Sequence, residues 1–275
     1  MNCEFIPYTS FFIPKKLKLG ICLSGGGARG IAHIGVLKAL EEHNIFPQFV
    51  SGASAGSIVG SLYAAGKSID EIIGIIHGAN IFKIFTFSTL GLASGLANMN
   101  YLRKILSHEL QTHDFETLPS KLFVCVSNIN KGKWSIIKNG NIINAVIASS
   151  SIPLIFEPVE INGELYVDGG LLNNFPVEPL LVECDMIIGV NVMPNAVKRN
   201  ISGLRTIAER CVDLVVWSNT EIRASKCNVL IDVNGVEEFG FFDFQKAEAI
   251  IELGYHETLK LIPKIKKRIE ELKSN

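Results

Sequence analysis

Two consecutive stretches of this sequence follow the same plan of a buried strand, a glycine turn and a helix. In the first, residues 17–23 (LKLGICL) form a short apolar run that leads into SGGGARG, and residues 30–43 then place apolar side chains at helical spacing. In the second, a strand near Phe49–Val50 leads through a glycine turn around Ser54 into the helical AGSIVGSLYAAG. Two successive units of this kind predict a parallel sheet with helices on its faces.

The rest of the chain continues the α/β pattern, with no linker that marks a second domain. Further apolar strands are expected at 121–129, 186–192 and 228–233, and helices over 204–225 and 244–272, the last interrupted near Pro263. We therefore expect an N-terminal extension over residues 1–16 and one α/β domain over residues 17–275, with a mainly parallel central sheet.

Composition excludes several classes of protein. The 275 residues carry a net charge of −1, so no overall positive field favours nucleic acid. The six cysteines form no C-x-x-C pair, and neither they nor the histidines and acidic residues show metal-ligand spacing. No signal peptide and no apolar run long enough for a transmembrane helix is found. These observations predict a soluble, cytoplasmic protein with reduced thiols and no metal or cofactor.

The glycine run admits two interpretations. Gly25, Gly27 and Gly30 match the G-x-G-x-x-G pattern of dinucleotide-binding proteins. That function requires a carboxylate at the end of the second strand, about 20 residues further on, and Ser54 stands there instead. The same glycines suit acyl transfer, because backbone N–H groups near Gly26 and Gly27 can stabilise an oxyanion. This second interpretation is favoured, with Arg29 holding the loop through hydrogen bonds to carbonyl groups or standing solvated at the helix start.

Ser54 lies in the pattern G-x-S-x-G, which is typical of a nucleophile elbow, and a serine nucleophile needs a base. His256 follows all the strands, where an ordinary α/β-hydrolase places its histidine, but it falls within a predicted helix. His33 lies on the first predicted helix, one turn past the glycine loop, and is expected to be packed there instead of being catalytic. Asp168, in ELYVDGG, follows a strand and precedes two glycines, so its carboxylate can approach Ser54 and act as the base. A Ser54–Asp168 dyad and a Ser54–Asp168–His256 triad both remain open.

Taken together, GGGARG, GASAG, DGG and the segment ASSSIPLIFEPV resemble the patatin-like phospholipase family over roughly residues 17–195. The resemblance implies a three-layer α/β/α sandwich that hydrolyses acyl esters of phospholipids, lysophospholipids or neutral lipids, in transient contact with a membrane surface. It assigns Ser54 as nucleophile and Asp168 as base. It also assigns an oxyanion hole formed by Gly25, Gly26, Gly27, Arg29 and the N–H of Ala55. A non-catalytic lipid-binding module with the same fold is the other alternative.

Two further segments are candidates for lipid contact. Phe82, Phe85 and Phe87 follow the helix after Ser54 and either line an acyl-chain channel or lid, or form plain core. The C-terminal LKLIPKIKKRIEELK is amphipathic, with apolar residues on one face and lysines on much of the remainder. Its apolar face either lies on an anionic lipid surface or packs against the domain.

Overall fold

The strands of the two strand–turn–helix units lie side by side near the centre of an eight-stranded mixed sheet. The computed structural model describes residues 17–78, 99–153, 155–194 and 201–274. The strands are β1 (Leu19–Leu23), β2 (Phe49–Gly52), β3 (Lys121–Asn128), β4 (Lys133–Ile137), β5 (Val159–Ile161), β6 (Glu164–Asp168), β7 (Met186–Asn191) and β8 (Val229–Asp232). Their order is β5-β6-β3-β2-β1-β7-β8, with β4 paired to β3.

The sheet is parallel at its centre and antiparallel towards one side. β1 pairs in parallel with β2 and β7, and the parallel ladder extends to β3 and β8. The three strands β4, β5 and β6 pair in antiparallel fashion. Every residue of β1, β2 and β7 is buried, as expected for parallel strands covered by helices on both faces.

The described helices connect and cover these strands. They are α1 (Ala32–Glu42), α2 (Ala55–Ala64), α3 (Ile69–Gly78), α4 (Asn100–Glu109), α5 (Ile142–Ser150), α6 (Gly170–Asn173), α7 (Glu178–Glu183), α8 (Leu204–Ala224) and α9 (Ala247–Ser274). A 3₁₀ turn over Gly27–Ile31 connects the glycine loop to α1. None of the helices in this described part of the chain is both long and apolar enough to cross a membrane.

Side chains of β1 alternate between two separate apolar clusters, one on each face of the sheet. Ile21 and Leu23 join the larger cluster, to which α1, α2, α5 and α9 contribute, whereas Cys22 joins a smaller cluster with residues of α7 and α8. Because successive side chains of a strand point to opposite faces, the two clusters mark two helical layers around one sheet. The predicted α/β/α fold is confirmed.

The C-terminal helix differs from its prediction in one respect. α9 continues through Pro263, so the expected interruption there is wrong. Proline removes one backbone hydrogen bond and usually kinks a helix. Here Pro263 is exposed, and Ile262 and Ile265 on either side of it are buried in the core. Packing of the neighbouring turns therefore holds the helix across the proline.

The apolar face of α9 packs against the domain. Besides Ile262 and Ile265, its apolar side chains Leu259, Ile269 and Leu272 contact the larger cluster, and its lysines from Lys264 onward are exposed. Of the two alternatives for this amphipathic helix, packing is confirmed. α9 packs closely on α1, where a Cβ added at Gly254 would lie 2.0 Å from the carbonyl oxygen of Ala32.

Candidate active site

Ser54 lies in the sharp turn between β2 and α2. Its φ of 49° and ψ of −125° are uncommon for a residue with a side chain, and they match the strained turn expected of a nucleophile elbow. The side chain of Ser149 on α5 accepts a hydrogen bond of 2.9 Å from the Ser54 N–H and donates to the carbonyl oxygen of Cys125 at 2.6 Å. These bonds hold the turn against α5 and β3.

The register of β3 brings Asp168 to Ser54. β2 ends with Gly52 opposite Val124, and β6 ends with Asp168 opposite Val126. β4 pairs with β3 from Val124 onward. Because β4 takes one edge of β3, β2 and β6 share the other edge and meet there end to end. Two residues 114 positions apart thus become neighbours, and Ser54 Oγ donates to Asp168 Oδ2 at 2.6 Å.

The Asp168 carboxylate is buried and has one further partner. The N–H of Gly170 donates to Asp168 Oδ1 at 2.7 Å. Burial raises the pKa of the Asp168 carboxyl from 3.8 to about 6, and the hydrogen bonds from Ser54 and Gly170 oppose that rise. The group is therefore ionised at neutral pH while remaining basic enough to take a proton from a serine hydroxyl.

The glycine loop passes directly beside the elbow. A Cβ added at Gly25 would lie 3.0 Å from Ser54 Cβ, and one added at Gly30 would lie 2.4 Å from Ala55 Cβ. The N–H of Gly25 donates to the carbonyl oxygen of Asn174 at 3.2 Å, so it is already engaged. Within the described ranges, the N–H groups of Gly26, Gly27 and Ala55 have no hydrogen-bond partner. The elbow and the loop that touches it thus carry three free donors within the described residues.

Arg29 attaches the loop to the C-terminal part of the chain. Its Nε donates to the carbonyl oxygen of Phe239 at 2.9 Å, and the N–H of Ala28 donates to the carbonyl oxygen of Phe241 at the same distance. Of the two interpretations of Arg29, the structure favours the one in which it holds the loop by hydrogen-bonding a carbonyl group. The carbonyl belongs to a segment for which the sequence offers no motif.

Asn174 links the glycine loop to the turn that carries Asp168. Besides accepting from Gly25, it donates through Nδ2 to the Gly25 carbonyl oxygen at 3.4 Å. Asn219 on α8 accepts from the Asn174 N–H at 2.9 Å and donates to the Gly170 carbonyl oxygen at 3.4 Å. Sequence reasoning missed both residues. The repeated asparagines after the Asp-Gly-Gly turn were a usable signal for Asn174, whereas no local pattern distinguishes Asn219.

Neither of the histidines considered as candidates reaches the Ser54–Asp168 pair. His256 is exposed on α9, where its ring contacts Tyr255 at 5.5 Å between centroids. His33 is buried, as expected, and its Nε2 bonds the carbonyl oxygen of Ser24 at 2.8 Å. Burial lowers the pKa of His33 to about 4, so the ring is neutral. The triad alternative thus lacks its histidine in this structure.

The last two sets of residues to consider are the predicted acyl-chain residues and possible metal ligands. Phe82, Phe85 and Phe87, the candidates for the acyl-chain channel, lie outside the described residues. Over the ranges that the structure does describe, no group of three or more histidine, cysteine or acidic side chains could hold a metal ion.

Comparisons with known proteins show which family this chain resembles. The family model described as patatin-like phospholipase matches residues 21–181. Lysophospholipase NTE1 of Pyricularia oryzae is 27% identical over 281 residues, which cover 90% of this chain and 18% of that protein. An NTE family protein of Mycobacterium tuberculosis is 32% identical over 171 residues, covering 61% of this chain and 29% of that protein. This chain thus spans less than a third of the length of either relative.

Two solved structures share the fold. The crystal structure of VipD from Legionella pneumophila aligns with a TM-score of 0.59 at 19% identity, covering 90% of this chain and 67% of that one. Human GIVD cytosolic phospholipase A2, in complex with methyl gamma-linolenyl fluorophosphonate, aligns with a TM-score of 0.52 at 10% identity, covering 93% and 59%. The family predicted from the motifs is confirmed: the chain belongs to the patatin-like phospholipases, a family of lipid carboxylic ester hydrolases.

Proposed function

We propose that this chain hydrolyses carboxylic esters of phospholipids, lysophospholipids or neutral lipids, with Ser54 as the nucleophile and Asp168 as the base. The observation that carries the proposal is the hydrogen bond of 2.6 Å from Ser54 Oγ to the buried carboxylate of Asp168. A serine becomes nucleophilic when a positioned base takes its proton, and a buried carboxylate of raised pKa is suited to that task.

In the acylation step, Ser54 Oγ attacks the carbonyl carbon of the ester while its proton passes to Asp168. The carbonyl oxygen becomes an oxyanion. The N–H groups of Gly26, Gly27 and Ala55 would donate to it, since they belong to the elbow and to the loop that touches it and have no other partner in the described residues. When the tetrahedral intermediate collapses, the bond to the alcohol breaks and the alkoxide receives the proton from Asp168.

In the deacylation step, Asp168 takes a proton from water, and the resulting hydroxide attacks the acyl carbon on Ser54. The same oxyanion donors serve again. Collapse then breaks the bond to Ser54 Oγ, which regains its proton from Asp168, and a fatty acid leaves. One carboxylate thus performs the proton transfers of both steps, and no step requires a histidine.

Contact with a membrane or droplet surface follows from the proposed substrate class. Phospholipids and neutral lipids are held in bilayers or droplets, so the chain must contact such a surface transiently to reach them. Similarity to a protein named lysophospholipase supports lysophospholipids as a substrate class. A lipid-binding module without turnover is the alternative, and it would retain lipid association without releasing fatty acid.

The test is hydrolysis of p-nitrophenyl esters of increasing chain length, together with fatty acid release from phosphatidylcholine vesicles, lysophosphatidylcholine micelles and triacylglycerol emulsions. Ser54→Ala and Asp168→Asn should each reduce kcat about a thousandfold or more. His256→Ala, a surface change, is the matched control and should stay within about twofold of wild type.

Loss of activity in a folded His256→Ala variant would replace the dyad by a triad. If wild type binds the vesicles and releases no fatty acid from any of the lipids, the chain is a binding module and the proposal is wrong.

A further inference from the structure

The glycine loop beside Ser54 is covered by a short segment that lies beyond the part of the chain matched to the family, residues 21–181. Residues Phe239–Phe241 follow a 3₁₀ turn and precede α9. Two of their backbone carbonyl groups accept hydrogen bonds of 2.9 Å from the loop, from Arg29 Nε and from the Ala28 N–H. These two hydrogen bonds hold the segment against the loop.

In the same segment, the aromatic ring of Phe241 lies against Gly27. A Cβ added at Gly27 would be 2.7 Å from both Cδ1 and Cε1 of the ring and 2.6 Å from the Phe241 carbonyl oxygen. Gly27 has a φ of +58°, in the left-handed region that favours glycine. Any larger residue at this position would collide with the ring. The ring therefore packs directly on the glycine loop.

The loop under this ring also touches the elbow. The two ends of the loop touch the elbow, Gly25 beside Ser54 and Gly30 beside Ala55, and Gly27 lies between them with a free N–H. An ester whose carbonyl oxygen accepts from this N–H has the substituent on its carbonyl carbon close by. The half-buried ring of Phe241 packs on the same residue, Gly27, that carries this N–H.

We propose that Phe241 is a specificity-determining residue, whose ring limits the bulk that an ester can carry next to its carbonyl carbon. The inference rests on the proposed function, because it concerns the substrate of that same site. Straight acyl chains pass the ring, whereas a branch on the carbon next to the carbonyl meets it. This selectivity suits the unbranched fatty acyl chains of lipids.

The experiment compares two isomeric substrates, p-nitrophenyl butyrate and p-nitrophenyl isobutyrate, which differ only in the branch beside the carbonyl carbon. The measured quantity is the ratio of kcat/KM for the branched ester to that for the straight one. A single methyl group in a shaped pocket is worth a factor of about ten or more in kcat/KM. Phe241→Ala should therefore raise the ratio about tenfold, and Phe241→Trp should lower it.

Phe242→Ala is the matched control. Phe242 is the next residue, packs edge-on against Phe241 at 5.2 Å and is 43% exposed. Its removal should leave the ratio within about twofold of wild type. If Phe241→Ala does not fold, as judged by circular dichroism, Phe241→Leu and Phe241→Trp test the same contact with less loss of volume.

The outcomes separate this inference from the proposed function. An unchanged ratio in active, folded Phe241 variants overturns the role of Phe241 and leaves the Ser54–Asp168 mechanism intact. An equal change in Phe242→Ala also overturns it, because the effect would then not depend on contact with Gly27. A wild-type protein that hydrolyses neither ester and releases no fatty acid from any of the lipids overturns the proposed function and this inference with it.

Discussion

Two regions of the molecule, residues 19–64 and residues 201–274, contribute to the glycine loop and its surroundings in different ways. The first region contains the loop itself and Ser54, together with the N–H groups of Gly26, Gly27 and Ala55, which have no hydrogen-bond partner within the described residues. The second region contributes none of the proposed catalytic groups. It contributes the Asn219 side chain, the carbonyl groups of Phe239 and Phe241 and the ring of Phe241.

The difference shows why the two regions are unequally visible in the sequence. A nucleophile in a strained turn and N–H groups in a tight loop require particular residue types at particular spacings. A backbone carbonyl group can be supplied by any residue, and an asparagine on a helix resembles any other polar residue. Reactive groups therefore leave motifs, whereas the groups that position them do not.

The largest effect on activity among the following predictions is expected within the motif region. In Gly25→Ala, the new Cβ would lie 2.4 Å from Asn174 Oδ1 and 3.0 Å from Ser54 Cβ, so the loop must move away from the nucleophile. Loss of oxyanion contacts of this kind costs about a hundredfold or more in kcat. The control is Gly74→Ala in α3, where no atom lies within 4 Å of the added Cβ. Equal activity of both variants would contradict the role given to the loop.

The next largest effect concerns the pH dependence of kcat/KM. Because burial raises the pKa of Asp168 to about 6, the base is protonated in acid, and kcat/KM should fall about tenfold per pH unit below that value. Hydrolysis of a p-nitrophenyl ester, followed between pH 4 and pH 8 by a stopped assay, measures the profile. A plateau down to pH 4.5 would contradict Asp168 as the base.

The same ionisation affects stability with the opposite sign. The unfolded carboxyl ionises near 3.8, before the folded one does, so the folded state loses stability as the pH rises from about 4 to above 6. A tenfold difference in proton affinity corresponds to about 1.4 kcal/mol, so the cost above pH 6 is on the order of 3 kcal/mol. Asp168→Asn should therefore raise the melting temperature more at pH 8 than at pH 4. An equal change at both pH values would contradict the burial of an ionised group.

A smaller effect is expected from the C-terminal region. Asn219→Ala removes the acceptor for the Asn174 N–H and the donor to the Gly170 carbonyl group, which position the loop and the Asp168 turn. Because the reacting groups remain, kcat should fall about tenfold with little change in KM. Ser218→Ala, an exposed neighbour bonded only to its own helix, is the control. A rise in KM alone would indicate substrate contact instead of positioning.

The smallest effect on activity should accompany a loss of stability. Gly254→Ala places a Cβ 2.0 Å from the carbonyl oxygen of Ala32, so α9 and α1 must separate. Overpacking of this kind costs about 1–3 kcal/mol in the free energy of unfolding. Urea denaturation should show that loss, while kcat at low temperature stays near wild type. The exposed Glu252→Ala on the same helix should change neither.

Much of the fold and the centre of the site could be predicted from local patterns. The strands β1, β2 and β3, the elbow at Ser54 and the turn at Asp168 all depend on short-range constraints, namely apolar runs and glycines in tight turns. The continuation of α9 through Pro263 could not be predicted, because it depends on core contacts of Ile262 and Ile265. Propensity argues for a break there, and packing overrides it.

The sequence by itself determined the α/β class, the glycine loop, the elbow serine and two candidate bases, Asp168 and His256. Only the tertiary structure showed which candidate lies against Ser54, because the register of β3 brings the ends of β2 and β6, and with them Ser54 and Asp168, together. His256 lies exposed on α9. The tertiary structure also decided that the Gly25 N–H is engaged by Asn174 and that Phe241 covers Gly27. These contacts join residues far apart in the chain, and they form only when strand pairing and helix packing bring those residues together.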